Sequence, residues 1–334
     1  MLAVRQQNKH CLFDPARSTL LTMNVTMLNR GTPMVRTGLC RLAGVLAWGI
    51  GLALAAVWPM PTAGAASGSE VAMKVMTFNL RYASTNSPNS WAVRRPVMRE
   101  CLRRHQPDVM GTQEGLYHQI RDLASDLPDY EWIGTGREGG SQGEFAAIFF
   151  QKSRFEPLAY DHFWLSDTPS VIGSATWGNQ VVRMATMVHF RERRSGVRFY
   201  VFNVHLDHQS QNARERSAAL LRDRIARIPQ PTPVLLIGDF NADPPENRAY
   251  RILVEPGDLK DLWLAAPVRI HDGLSTFHDF AGPKPGSWRI DWLMGRGAWI
   301  PRKAEVITDS RRGQYPSDHF PVMVDLILRS NVAP

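Results

Sequence analysis

Two periods of apolar and polar positions run along the chain, one of strands and one of helices. Val71–Leu80 puts Met76, Phe78 and Leu80 on one face and Val75, Thr77 and Asn79 on the other, the alternation of a strand. A polar loop, Arg81–Ser90, leads to Trp91–His105, which has helical spacing with arginines on its outer side. Pro107 ends that helix. Asp108–Glu114 then predicts a short strand with Gln113 and Glu114 at its exit, and about Leu116–Leu127 a second amphipathic helix. Gly134–Gly143 is a glycine-rich loop, and Phe145–Phe150 predicts a buried strand.

Asp161–Gln180, rich in Trp, Ser and Pro, predicts an irregular surface loop. Val181–Phe190 and Val197–Leu206 alternate well enough to pair as a hairpin about Arg191–Gly196, with Asn203 and His205 on one face of the second strand. Asn212 is expected to cap a helix reaching Ile228. Val234–Ile237 is uninterrupted and apolar, the mark of a strand buried on both faces; Gly238, Asp239, Asn241 and Asp243 follow. Ligand sites in α/β sheets lie just past the carboxyl ends of such strands. Taken alone, the same residues also make an ordinary polar turn. Strands at Trp288–Met294, Ala304–Ile307 and Val322–Leu328 complete the pattern. Strands outnumber helices and hairpins mix with crossovers, which predicts two packed sheets with helices outside.

Charge changes this picture little. The 334 residues carry a formal net charge of +8, but six of the basic groups and one acid fall in the first 65 residues, leaving 33 basic and 30 acidic. That balance supports no argument for nucleic-acid binding. Arg36 and Arg41 precede the apolar stretch Leu42–Trp58, and Pro59, Pro61 and Ala63-Gly64-Ala65 follow. These are the marks of a signal peptide cleaved near Ala65. Residues 1–65 are therefore expected to be an N-terminal extension and signal peptide, and 66–334 a secreted or periplasmic domain. The alternative is an anchor over 42–58, at the lower limit of length for spanning a bilayer. Met27 and Met34 offer alternative starts. Cys101 is the single cysteine past the cleavage site, so no internal disulfide is expected; its helical spacing with Val97 and Met98 suits a packed core thiol.

Most apolar runs end in polar residues of one kind: Asn79, Glu114, Asn203 and His205, Asp239 and Asn241, Asp291, then Asp318 and His319. One or two such groups are tolerated structural pairs, because a buried polar group is costly unless partnered. Six such sites suggest a common pocket. Carboxylates crowded there would repel without a cation between them, and oxygen donors favour Mg²⁺ or Mn²⁺ over Zn²⁺.

Met76-Thr77-Phe78-Asn79-Leu80-Arg81, Thr112-Gln113-Glu114, Phe202-Asn203-Val204-His205-Leu206-Asp207, Gly238-Asp239-Phe240-Asn241, Arg289-Ile290-Asp291 and Ser317-Asp318-His319 resemble, in this order, the motifs of the endonuclease/exonuclease/phosphatase (DNase I-like) superfamily. The resemblance spans residues 71–328. It implies an α/β (α+β) four-layer sandwich, two mixed sheets face to face with helices on both outer sides. It also implies a metal-dependent hydrolase using in-line attack of water on phosphorus. Glu114 is then the principal metal ligand, with Asn79 and Asp318 completing or supporting the site. Asp239 orients or deprotonates the water and Asn241 binds phosphate. His205 and His319 contact phosphate oxygens, and Asp291 holds His319. Arg183, expected on a strand face shared with His189, resembles a phosphate-contacting arginine of some members. Asp207 and His208 match no general role and are expected to be loop polarity.

The resemblance leaves the phosphate-ester substrate open among nucleic acid, phospholipid and sugar phosphate. No long basic loop with interleaved aromatics and no hydrophobic hairpin for membrane insertion is visible. Trp164 and Trp177 could stack on a base or sugar, although such residues more often pack. A monomer is expected, with no stable membrane insertion after cleavage. A nuclease, a sphingomyelinase-type phosphodiesterase or a catalytically silent binding member are the alternatives.

Overall fold

The computed structural model describes residues 70–329 except Ser287, so the expected leader, cleavage site and anchor lie outside the described residues. β1 (Glu70–Asn79), α1 (Trp91–His105), β2 (Val109–Gln113), β3 (Gly115–Leu116) and α2 (Tyr117–Asp126) open the chain. β4 (Tyr130–Ile133), β5 (Glu144–Phe145), β6 (Ile148–Gln151) and β7 (Phe155–Trp164) follow. Next come β8 (Met184–Glu192), β9 (Arg198–His205), α3 (Gln211–Ala226), β10 (Val234–Asp239) and α4 (Arg248–Val254). β11 (Lys260–Asp261), α5 (Leu262–Ala265), β12 (Val268–Ile270), β13 (Asp291–Arg296), β14 (Trp299–Val306) and β15 (Val322–Arg329) complete it.

Seven strands form one mixed sheet in the order β12-β14-β15-β1-β2-β6-β4, and six form the other in the order β11-β13-β10-β9-β8-β7. Three apolar layers separate these sheets and the helices. Between the sheets lie Val75, Val109, Ile148 and Val324 from the first, and Phe190, Val201, Leu235 and Ile237 from the second. Leu236, Phe202 and Val204 face outward onto Leu221 and Ile225 of α3 and Leu253 of α4. On the opposite outer side Met76, Phe78 and Phe149 pack on Met98 and Leu102 of α1 and Ile120 and Leu123 of α2. β10 alternates between two apolar layers, which is why it has no polar residue before Asp239; each such Leu or Ile contributes about 1.5–3 kcal/mol by burial. This is the expected α/β four-layer sandwich.

A buried amide in the central layer bridges the two sheets. Asn203 on β9 donates to the carbonyls of Thr112 and Ala147 and accepts from Gln113 Nε2 at 2.7 Å. Gly111 makes room for it, since a Cβ there would lie 2.6 Å from Asn203 Oδ1.

Several local expectations are corrected. Ser210, not Asn212, caps α3: its hydroxyl accepts from Ala213 N at 3.1 Å, two residues before the expected cap. The irregular segment begins only after Trp164, because β7 pairs along β8 as far as that residue. Trp164 and Trp177 are buried, with Trp164 Nε1 donating to Arg137 O, so neither is free to stack on a ligand. The expected strand over 145–150 is two short ones, because β5 pairs with β3 while β6 pairs with β2 and β4. Cys101 is a buried thiol, in the layer under α1.

Candidate active site

The polar strand ends meet because strand register places them side by side. His205 pairs with Asp239 across β9 and β10, and Asp239 pairs with Asp291 across β10 and β13. In the other sheet Asn79 pairs with Gln113, one residue before Glu114. Gly238 is required where β10 passes β9: its φ is 152°, and a Cβ would lie 2.2 Å from Val204 O. Just beyond the strand ends Arg81, Glu114 and Asn241 all have positive φ, at 55°, 60° and 47°. Such backbone costs about 1–3 kcal/mol per residue and concentrates at functional sites.

Asn79 links the two sheets' carboxylates. Its Nδ2 donates to Glu114 Oε1 at 3.0 Å and to Asp239 Oδ2 at 2.9 Å, while its Oδ1 accepts from Arg81 N. Glu114 also accepts from Tyr82 N. Burial alone would raise the Glu114 pKa, but the His319 charge and these hydrogen bonds outweigh it and hold the pKa below its ordinary value. Asp239 accepts from Asn241 N, yet burial and the neighbouring Asp291 push its pKa up to about 7. Asp318 lies 3.4 Å from Arg81 Nε, accepts from Ser317 Oγ, and is also pushed up by burial. Side-chain polar atoms of Glu114, Asp239 and His319 lie within 4.8 Å of one another, so two carboxylates and an imidazole face one small space.

The two histidines differ. His319 Nδ1 meets Asp291 Oδ2 at 3.0 Å, and its Nε2 lies 3.9 Å from Asp239 Oδ2. Burial opposes the imidazolium, but Asp291, Asp239 and Asp318 prevail and push the His319 pKa up to about 10. Thr276 Oγ1 accepts from the N–H groups of Ile290 and Asp291, steadying the start of β13. His205 Nε2 lies 3.5 Å from Asp239 Oδ2, but burial first, then the charges of Arg183 and His319, drive its pKa well below the ordinary histidine value. Asn241 Nδ2 donates to Leu206 O at 3.0 Å, leaving its second N–H for a ligand.

Residues 76–319 match the model of the Endonuclease/Exonuclease/phosphatase family. The chain belongs to this family. An endonuclease/exonuclease/phosphatase family protein from Bacteroides thetaiotaomicron is similar at TM-score 0.72 and 32% identity, over 78% of this chain and 99% of that one. A mannosyl-6-phosphatase from the same species is similar at TM-score 0.71 and 32% identity, over 76% of this chain and 99% of that one. D. rerio TDP2, complexed with a single-strand DNA product, shares the fold at TM-score 0.61 with 17% identity, over 76% of this chain and 98% of that one.

The endonuclease/exonuclease/phosphatase motifs do not name everything the site contains. Arg183 precedes β8 and is 5% exposed, whereas His189 stacks on Tyr200 along the strand, so the expected shared face is corrected. Asp207 is also not solvated loop polarity, whereas His208 is an exposed loop residue as expected. Asp207, 1% exposed, accepts from Gln209 N and Ser210 N and lies 3.8 Å from Arg183 Nε; His208 Nδ1 accepts from Arg183 Nη2 at 2.9 Å. Arg137 and Glu144, paired at 2.6 Å, complete a pocket with Arg183, His205 and Glu114. Arg94 of α1 was equally hidden. Fully buried, it donates to the carbonyls of Leu80, Arg81, Tyr82, Asn89 and Pro316, holding the backbone beside Asn79 and Asp318. Burial lowers its pKa to about 10. Its helical spacing with Trp91 and Val97 was the signal: an arginine on the apolar face.

Proposed function

We propose that this chain is an exported, divalent-metal-dependent phosphoesterase that hydrolyses sugar phosphomonoesters. The observation that carries the reading is the convergence of Glu114, Asp239 and His319 within 4.8 Å, with His319 held by Asp291. A mannosyl-6-phosphatase of 32% identity, matched over 99% of its length, supports the sugar. The marks of a signal peptide in residues 1–65 support export.

The donor set fits Mg²⁺ or Mn²⁺: Glu114 and Asp318 are carboxylates both within 4 Å of the Arg81 guanidinium, so the pair already attracts positive charge. Bound there with Asn79 in support, the cation would neutralise phosphate oxygens and leaving group. The chain's own residues do the rest. Asp239, with a pKa near 7, takes a proton from the attacking water. The His319 imidazolium, neutral His205 and the second N–H of Asn241 donate to the non-bridging oxygens as charge develops there. The ester P–O bond breaks opposite the water, releasing alcohol and inorganic phosphate.

The test is phosphate release from mannose 6-phosphate beside a bis-aryl phosphodiester, single-stranded DNA and sphingomyelin, each with Mg²⁺, Mn²⁺ or chelator. Metal-dependent release from the sugar phosphate is expected, abolished in Asp239→Asn. Millimolar Mg²⁺ should also raise the melting temperature, about 2.7 kcal/mol of stabilisation at a hundredfold excess over Kd. Glu114→Gln should remove that rise. No hydrolysis of any substrate by folded, metal-loaded protein would favour a silent binding member.

A further inference from the structure

A second cavity, of about 480 Å³, opens beside His319 between the two arms of the 271–290 segment. Its size falls in the range of small-molecule sites. Ser275, Phe277, His278 and Asp279 line one arm, Lys284 and Trp288 the other. The arms are tied together by backbone hydrogen bonds from Ser275 N to Lys284 O, Gly286 N to Gly273 O and Thr276 N to Trp288 O. The first arm is tied to the catalytic strand end as well, through His278 N to Asp318 O and Phe320 N to Thr276 O. The cavity is therefore preformed, with walls fixed to the site.

Phe277 is the shared wall. Its backbone bridges to His319, and its ring meets the imidazole edge-on at 5.1 Å between centroids. A phosphoryl group held by His319 thus has this cavity next to it for its substituent. Trp288 is 59% exposed, whereas the other tryptophans among the described residues are buried or half-buried. Its indole therefore offers an open apolar face at the cavity. Around it the rim offers a hydroxyl (Ser275), a carboxylate (Asp279) and an ammonium (Lys284).

We propose that this cavity is the leaving-group subsite, taking the hexopyranose ring of a sugar phosphate with its C–H face on Trp288. A pyranose has the required two-sided chemistry, with apolar C–H faces and an equatorial rim of hydroxyls that both donate and accept. The inference rests on phosphoester hydrolysis at Asp239 and His319 as proposed above, and it adds what holds the alcohol.

The test compares mannose 6-phosphate with glycerol 3-phosphate, which has the ester but no ring. Trp288→Ala should lower kcat/KM for the hexose phosphate about 10-fold, mainly through KM, and leave glycerol phosphate unchanged. Trp288→Phe should restore most of the loss. Saturation-transfer NMR with methyl α-mannopyranoside reads the subsite without catalysis: ring protons should receive saturation from wild type and not from Trp288→Ala. Equal losses on both esters, or none on either, would overturn the subsite while leaving the hydrolase reading intact. Ring contact without hydrolysis of any sugar phosphate would overturn the hydrolase reading and leave the subsite standing. Absence of both hydrolysis and ring contact would overturn both.

Discussion

His319 and His205 approach the same oxygen of Asp239 from two sides, yet the fold prepares them oppositely. On the His319 side the neighbours are carboxylates, Asp291 directly on Nδ1 and Asp318 alongside, and the ring is held as a cation. On the His205 side they are cations, Arg183 and Arg137, and the ring is held neutral. Burial is common to both, so charge placement alone separates them. A phosphate between the two would meet one charged donor and one neutral donor, and only the first changes its strength with the proton it carries.

The sharpest way to break this comparison is at the charged side. His319→Ala should lower kcat by about 10²–10³-fold, the usual cost of removing a transition-state donor. Asp291→Asn should keep the geometry and still lose much of that activity, and the double variant should lose little more, because the pair acts as a unit. Steady-state kinetics with circular dichroism on the same preparations decide it; wild-type turnover in folded His319→Ala would sink the assignment.

The pH profile is the next largest effect. With its folded pKa raised to about 10, His319 stays protonated across neutral pH, so turnover should fall only as pH rises through about 10. Asp291→Asn should bring that alkaline limb to lower pH. Stability follows the same sign: the pair's contribution is full below an unfolded pKa of about 6.5 and is lost as pH climbs toward 10. Thermal melts across that window should flatten in Asp291→Asn.

On the neutral side the effects should be smaller. His205→Ala removes an uncharged donor, so a loss of up to about 10-fold in kcat is expected, with the alkaline limb unmoved. Smaller still, Arg183→Gln removes one of the charges that depress His205, so its pKa should rise. The variant should then lose more activity at pH 8 than at pH 5.5, where a protonated His205 replaces part of the missing charge, relative to wild type.

This contrast also shows what was readable beforehand. Asn79, Glu114, Asp239, Asp291 and His319 stand at strand ends, where a polar residue interrupts an apolar run and so announces itself. Arg183 and Asp207 sit in connecting segments, where charge is ordinarily solvated, and only the folded packing shuts them in, while His208 beside them stays exposed. The helices and β10 were legible because each faces an apolar layer with a regular period. β7 was not: it is the edge of its sheet, interrupted by Pro157, with a half-exposed pattern that reads as loop. The 271–290 segment has no period at all, and its ordering comes from backbone bonds to Asp318 and Phe320.

Asn203 touches none of the reacting groups, yet it has a bearing on all of them. Glu114, Asn79 and Asp318 belong to one sheet, and His205, Asp239 and Asp291 to the other, so the distances between donors are set by how the two sheets dock. Apolar side chains let sheets slide with little directional penalty; Asn203, pinned to Thr112 and Ala147 across the interface, does not. It works as a dowel, fixing the alignment of two halves that each carry part of a tool. Wear at the dowel, by replacing Asn203 or by crowding it from Gly111, should appear as misaligned chemistry before it appears as a lost fold.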